Sequence, residues 1–190
     1  MTIATQKLTL EEYFIYDDGT DNKYELVDGE LVAMPPESDR NNLIALYLLT
    51  ELLKFVPIRL IRHKDTEIVV TGNRTRVRLP DLMILTEELL VALGGKRATI
   101  TQDMPSPALA VEVVSPGKVN RDRDYRYKRS EYAARGILEY WIVDPQKEQV
   151  TVLTLVDGFY ESALFQEDET IISTTFPMLK LTAKQIFTPG

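Results

Sequence analysis

ALAVEVV, residues 108–114, is an apolar run of strand length with a single charge, Glu112, at its centre. A continuous apolar run of this kind predicts a strand covered on both faces. Ser115-Pro116-Gly117 ends it. The segment from about 121 to 135 then reads as a helix: Asn120 can cap it, and Asp122 and Asp124 stand in its first turn, where the dipole favours anions. Gly136 follows as a C-terminal stop, LEYWIV (138–143) is a second apolar strand, and Asp144-Pro145 turns the chain. If these two strands are parallel, the crossover between them is right-handed.

Working outward, DLMIL (81–85) opens after Pro80 as a further short strand, and 58–70, with IRLI and EIVV about a polar centre, reads as one more, followed by a turn at Gly72-Asn73. Residues 86–107 read as a surface excursion, irregular after a helical turn at TEELL. Asp39 is placed to cap a core helix from about Arg40 to Phe55. Asp28-Gly29 within KYELVDGELVAM (23–34) and Asp157-Gly158 between VTVLTLV and FYESALF predict two hairpins, because Asp-Gly tolerates the positive φ of a type I′ turn. Short helices are expected over 2–16, with Thr9 as a cap, and in the C-terminal LTAKQIF. The economical architecture is an α/β fold with a central mixed β-sheet flanked by helices and added β-hairpins, in one domain spanning 1–190.

Composition narrows the chemistry. With 190 residues, 44% hydrophobic and 27% charged, the chain has a globular balance. It has no cysteine, which excludes disulfides, thiolate metal sites and cysteine nucleophiles, and one histidine, His63, which excludes a multi-histidine metal site within one chain. No stretch reads as a membrane span or a secretory signal, so a cytoplasmic protein with no membrane partner is expected. The net charge of −7 opposes nucleic acid as a partner. Its distribution is uneven, however. Segments 118–135 and 59–78 each carry a net +4, either as solvated mixed faces or as local steering for a phosphate-bearing ligand.

Glu112 is the most informative residue. An isolated carboxylate in an apolar strand costs several kcal/mol, so it must be paired, protonated, metal-bound or open to solvent. Asp81, at the start of a neighbouring apolar strand, is its natural companion, and two adjacent carboxylates repel unless a cation lies between them. Mg²⁺ suits such a pair, because it takes one or two protein carboxylates and keeps several waters. Asp124, Lys128 and Tyr132 follow at i, i+4, i+8 on one helix face. That spacing fits a surface ion pair between Asp124 and Lys128. It equally fits a Lys128 aimed at the carboxylates, with Tyr132 orienting it.

YELVDGEL (24–31), PDLMIL (80–85), LAVEVVSPG (109–117), the D-x-x-x-K-x-x-x-Y run from Asp124 to Tyr132, and GILEYWIVDP (136–145) together resemble the Uma2 family, also known as DUF820 and abundant in cyanobacteria. The likeness spans about residues 10–160. The resemblance implies a restriction-endonuclease-like core of the PD-(D/E)XK superfamily and a metal-dependent nuclease acting on DNA. Pro80-Asp81 then matches the PD element and Glu112 the acidic position. The lysine of the parent pattern is replaced by Val114, and Lys128 from the following helix is its substitute. Glu25 matches a family acidic residue near the metal. Asn41 stands where many relatives carry histidine.

On this reading Asp81 and Glu112, with a backbone carbonyl of Val113 or Val114, hold Mg²⁺ or Mn²⁺. Lys128 serves the attacking water or a phosphoryl oxygen, and Glu25, Asp124 and Tyr132 support it. Arg76, Arg78, Arg121 and Arg123 hold the nucleic-acid backbone. Lys128→Ala is expected to remove activity and leave the fold intact. A homodimer would suit a duplex substrate. Two rival readings stand beside this one: a catalytically silent domain binding nucleic acid or a protein, and a hydrolase or binder of a small anionic ligand. Tyr140 and Trp141 are read as core.

Overall fold

The computed structural model describes residues 7–70, 76–95 and 97–188. In chain order its elements are α1 (Leu10–Phe14), β1 (Tyr24–Val27), β2 (Glu30–Ala33), α2 (Asp39–Leu52), a 3₁₀ turn (Ile58–Leu60), β3 (Ile61–His63), β4 (Glu67–Val70), β5 (Arg76–Arg78), β6 (Leu82–Ile84), α3 (Glu87–Leu93), β7 (Thr99–Ile100), β8 (Leu109–Val113), α4 (Lys118–Asp122), a π-helical stretch (Arg123–Lys128), α5 (Arg129–Arg135), β9 (Glu139–Asp144), β10 (Gln149–Val156), β11 (Phe159–Gln166) and α6 (Ala183–Phe187). Both Asp-Gly pairs turn hairpins, with φ of +53° and +85° at Asp28 and Gly29 and of +49° and +84° at Asp157 and Gly158. Thr9 caps α1 through a reciprocal capping box with Glu12.

Four expectations change. The stretch 58–70 is not one strand: Lys64 takes φ +57° and breaks it, so that β3 and β4 enter different sheets. The cap of α2 is Ser38, whose hydroxyl accepts the Asn41 amide, and Asp39 is the first helical residue. Residues 86–107 hold α3 and β7, because Thr86 caps Glu87–Leu93. The helix after β8 begins at Lys118, where Asn120 Nδ2 donates to the Pro116 carbonyl from inside the first turn. Residues 2–6 of the first predicted helix and the Gly72-Asn73 turn lie outside the described residues.

Two mixed sheets result. One has the order β2-β1-β5-β4-β7, and the other β11-β10-β9-β8-β6-β3. β8 and β9 are parallel, joined by the 118–135 helix, while β6 runs antiparallel to β8. Strand alternation decides which side chains meet that helix. In β8, Leu109, Val111 and Val113 pack toward α2 and α6, while Ala110 and Val114 pack with Tyr132 of α5. Glu112 shares the parity of Ala110 and Val114. In β6, Leu82 and Ile84 face α2, and Met83 faces the other way, the parity shared by Asp81. In the first sheet, Leu26 and Val77 pack under α1 with Tyr13, so Glu25 and Arg78, next to them in sequence, turn inward. The helix after β8 therefore lies between charged residues of two sheets. Among the described residues no helix is long and apolar enough to cross a membrane.

Candidate active site

Glu112 is buried, and both its oxygens are engaged. Oε1 accepts the Tyr132 hydroxyl at 2.6 Å, and Oε2 lies 2.9 Å from Lys128 Nζ. Lys128 Nζ is also 3.5 Å from Glu25 Oε1 and 3.5 Å from Asp124 Oδ1. Its side chain is 1% exposed, so the alternative of a surface ion pair with Asp124 is excluded. The π-helical stretch carries both Asp124 and Lys128, and such widened turns are uncommon outside functional sites. Tyr132 stacks edge-on against Tyr140, at 4.9 Å between centroids, and the Tyr140 hydroxyl donates to the Asp124 carbonyl. These rings fix the helix over the strand.

A second layer of charge holds Glu25. Its Oε2 accepts Arg78 Nη1 at 2.9 Å and its Oε1 accepts the Leu79 amide at 3.2 Å. The other two nitrogens of Arg78 donate to Glu131 at 2.7 and 2.9 Å. Asp81 closes the cluster on the open side. Its Oδ2 accepts the Val113 amide at 2.7 Å, and Lys64 Nζ stands 3.8 Å from its Oδ1. Asp81 also borders a cleft of about 330 Å³ lined by Lys23, Met34, Glu37, Lys64 and Leu79.

The charges are unequally compensated. Burial pushes the Asp81 carboxyl up to about 6, the Val113 amide opposing and Glu37 adding to the rise. Burial also drives Glu112 well above the usual carboxylate range; Lys128 pulls it down, while Asp81, Asp124 and Glu25 repel. Glu25 behaves oppositely. Burial would raise it, but Lys128, Arg78 and Arg123 outweigh that and hold it at about 2. For Lys128, burial disfavours the charge, yet Glu112, Glu25 and Asp124 together keep it above the usual lysine range. Lys128 is thus an ammonium at neutral pH and acts as a hydrogen-bond donor and cation rather than as a free base.

Residues 10–184 match the Uma2 family, described as "Putative restriction endonuclease". The chain belongs to the Uma2 family. Among solved structures, this Uma2 chain is similar to "a putative nuclease belonging to DUF820" from Anabaena variabilis, with a TM-score of 0.71 and 18% identity over 95% of this chain and 97% of that one. At that identity the likeness shows the fold, a restriction-endonuclease-like mixed α/β core. No curated protein sequence matches this Uma2 chain.

The four arginines expected at the nucleic-acid backbone of the Uma2 chain fall into different environments. Arg78 is 2% exposed and its fork is filled by Glu25 and Glu131, so it has no surface to offer a phosphate; it is a clamp inside the cluster. Arg76 is ion-paired with Asp28 and Glu131, and Arg123, half-buried, with Asp124. Arg121 alone of the four is exposed. The sequence could not show the role of Arg78, because its partner Glu131 comes from a distant helix. Asn41, at the start of α2, donates to Glu37 at 2.9 Å and to the Val114 carbonyl at 3.3 Å, which joins that helix to the end of β8. Tyr140 and Trp141 are core. Lys64 and Glu37 were not singled out by the sequence. Both sit in polar connecting segments that carry no periodic signal.

Proposed function

We propose that this Uma2 protein is a metal-dependent nuclease that hydrolyses phosphodiester bonds in DNA. The observation that carries the reading is the position of Lys128. Strand β8 has valine at position 114, and a fully buried ammonium reaches the same carboxylate from the next helix, 2.9 Å from Glu112. A buried lysine facing three carboxylates is costly to maintain for stability alone, and another carboxylate of the same cluster, Asp81, borders a cleft.

The donor set fits a divalent cation. Burial lifts both Asp81 and Glu112 above the carboxylate range, and Lys128 offsets it only in part. Among the described residues no three histidine, aspartate or glutamate side chains are grouped so that they could hold a metal ion together. A cation here would take two carboxylates, the Val113 carbonyl and water, a set that suits Mg²⁺ or Mn²⁺. When bound, the metal would acidify a water and offset charge on the phosphate. Asp81 and Glu112 would orient it, the Val113 amide fixing the Asp81 carboxylate. Lys128 would donate to the attacking water or a phosphoryl oxygen. Glu25, held by Arg78, and Asp124 would keep Lys128 charged and aimed, and Tyr132 would fix the second Glu112 oxygen. Arg121 and the exposed Lys118 and Arg126 of the same segment would supply backbone contacts that position without reading sequence.

The burial of Lys128 and Glu112 favours one other reading, a silent domain that keeps this cluster for its fold and binds nucleic acid or a protein. Cleavage of single-stranded, duplex and branched DNA in Mg²⁺ or Mn²⁺ separates the two. Metal-dependent cleavage by the wild type, lost in Glu112→Gln, supports the nuclease; none in any metal by a folded wild type supports the silent domain.

A further inference from the structure

Lys64 lies in the cleft on the open side of Asp81, and nothing in the roles assigned above uses it. It follows β3 directly, with φ +57°, a conformation that costs a side-chain-bearing residue on the order of 1 kcal/mol and that glycine adopts freely. Its ammonium stands 3.8 Å from Asp81 Oδ1 and 3.9 Å from Glu37 Oε2, beyond hydrogen-bond reach of either, and makes one hydrogen bond, 3.3 Å, to Asn42 Oδ1. Its side chain is 21% exposed. Glu37, opposite, is fixed by the Asn41 amide group at 2.9 Å and by the Ser115 hydroxyl at 3.2 Å.

The two lysines flank the carboxylate pair differently. Lys128 is sealed in, with three carboxylates around it. Lys64 is held by electrostatics at the cleft wall, with donor capacity left over and solvent access. Lys64 is one of five described non-glycine residues with a positive φ, and it is the one of the five that lines this cleft.

We propose that Lys64 is the phosphate-contacting cation of the cleft, holding a non-bridging oxygen of the nucleic-acid backbone beside Asp81, with Glu37 as the residue that positions it. This rests on the phosphodiesterase reading above. The incoming phosphate replaces the loose contacts to Asp81 and Glu37 with direct hydrogen bonds. The wall of Met34, Pro35, Pro36 and Leu79 gives the adjoining sugar an apolar surface.

The test compares wild type, Lys64→Gly, Lys64→Arg and Glu37→Gln. Binding of a labelled DNA oligonucleotide is measured in Ca²⁺ over a salt series, together with cleavage in Mg²⁺ and thermal unfolding. Lys64→Gly should unfold at or above the wild-type temperature, because glycine relieves the strained φ. It should bind about tenfold more weakly, with the log–log salt slope lower by about one phosphate contact, and cleave correspondingly less. Lys64→Arg should recover binding, and Glu37→Gln should lie between. If Lys64→Gly is less stable while binding, salt slope and cleavage are unchanged, Lys64 is structural and the inference fails while the nuclease reading stands. A wild type that neither binds nor cleaves DNA overturns both.

Discussion

Lys128 Nζ lies 2.9 Å from Glu112 Oε2, reaching from the helix to the strand that carries valine two residues later. The same ammonium meets Glu25 and Asp124, so its removal leaves three buried carboxylates without their shared cation. Lys128→Ala should therefore do more than stop catalysis. Breaking a buried ion pair from one side costs about 3–5 kcal/mol, and urea unfolding should show a loss of that order. With Lys128 1% exposed, the expected outcome is a destabilised fold rather than an unaffected one. Lys128→Met paired with Glu112→Gln should recover much of the stability but no cleavage, and a double-mutant cycle on the urea midpoints measures the coupling.

Asp81 gives a pH signature. Its folded-state carboxyl is raised to about 6 by burial, so between the ordinary aspartate range and about 6 the native state binds more protons than the unfolded one. Stability then falls as pH rises through that window and levels off above it. Asp81→Asn, in metal-free protein, should be more stable than wild type by about 3 kcal/mol at pH 8, with the gap closing near pH 4. With Mg²⁺ or Mn²⁺ in excess the order should invert, because the cation stabilises only the carboxylate form. Chemical denaturation at the two pH values, with and without metal, measures both signs. A gap between Asp81→Asn and wild type that does not widen from pH 4 to pH 8 without metal would contradict the assignment.

Some of this was legible in the residues and some was not, for physical reasons. Glu112 announced itself because a charge in ALAVEVV has few ways to survive. The Asp-Gly hairpins followed from the positive φ their turns need. What local pattern cannot carry is the identity of a partner from another element. Arg78 reads as a contact to the nucleic-acid backbone until Glu131 and Glu25 close on it. The break at Lys64 was hidden because no glycine marks the positive φ, and 58–70 therefore read as one strand. Glu37, beside two prolines, has meaning only through Asn41 and Ser115.

Arg78 offers a test of the clamp. Its guanidinium spans Glu25 and Glu131 with three hydrogen bonds, a planar geometry that lysine cannot reproduce. Arg78→Lys should destabilise by about 2–4 kcal/mol and Arg78→Ala by about 3–5 kcal/mol. Because Glu25 holds Lys128, cleavage by Arg78→Lys should fall in kcat more than it rises in KM. Unfolding midpoints and steady-state kinetics on one DNA substrate measure the two effects separately.

Glu139 gives a second pH dependence, of opposite sign. It opens β9, and its carboxylate accepts the Ser173 hydroxyl at 2.7 Å, the Thr174 amide and hydroxyl at 2.9 and 2.7 Å, the Thr175 amide at 2.9 Å and the Trp141 indole at 2.5 Å. Burial would raise its pKa, but these donors outweigh burial and hold the carboxyl below the ordinary value of 4.5. A depressed folded pKa contributes stability that is present above the unfolded value and lost as pH falls through the folded one. The carboxylate thus pins the loop 173–176 under the apolar face where Phe176 packs. Glu139→Gln keeps the shape and some acceptor capacity but not the charge. It should lower stability by about 1–3 kcal/mol at pH 7, and the difference from wild type should shrink steadily below pH 4.5. DNA cleavage at pH 7, measured well below the unfolding temperature, should be unaffected. A stability gap that is the same at pH 3.5 and pH 7 would mean that the charge on Glu139 contributes nothing and that only its shape matters.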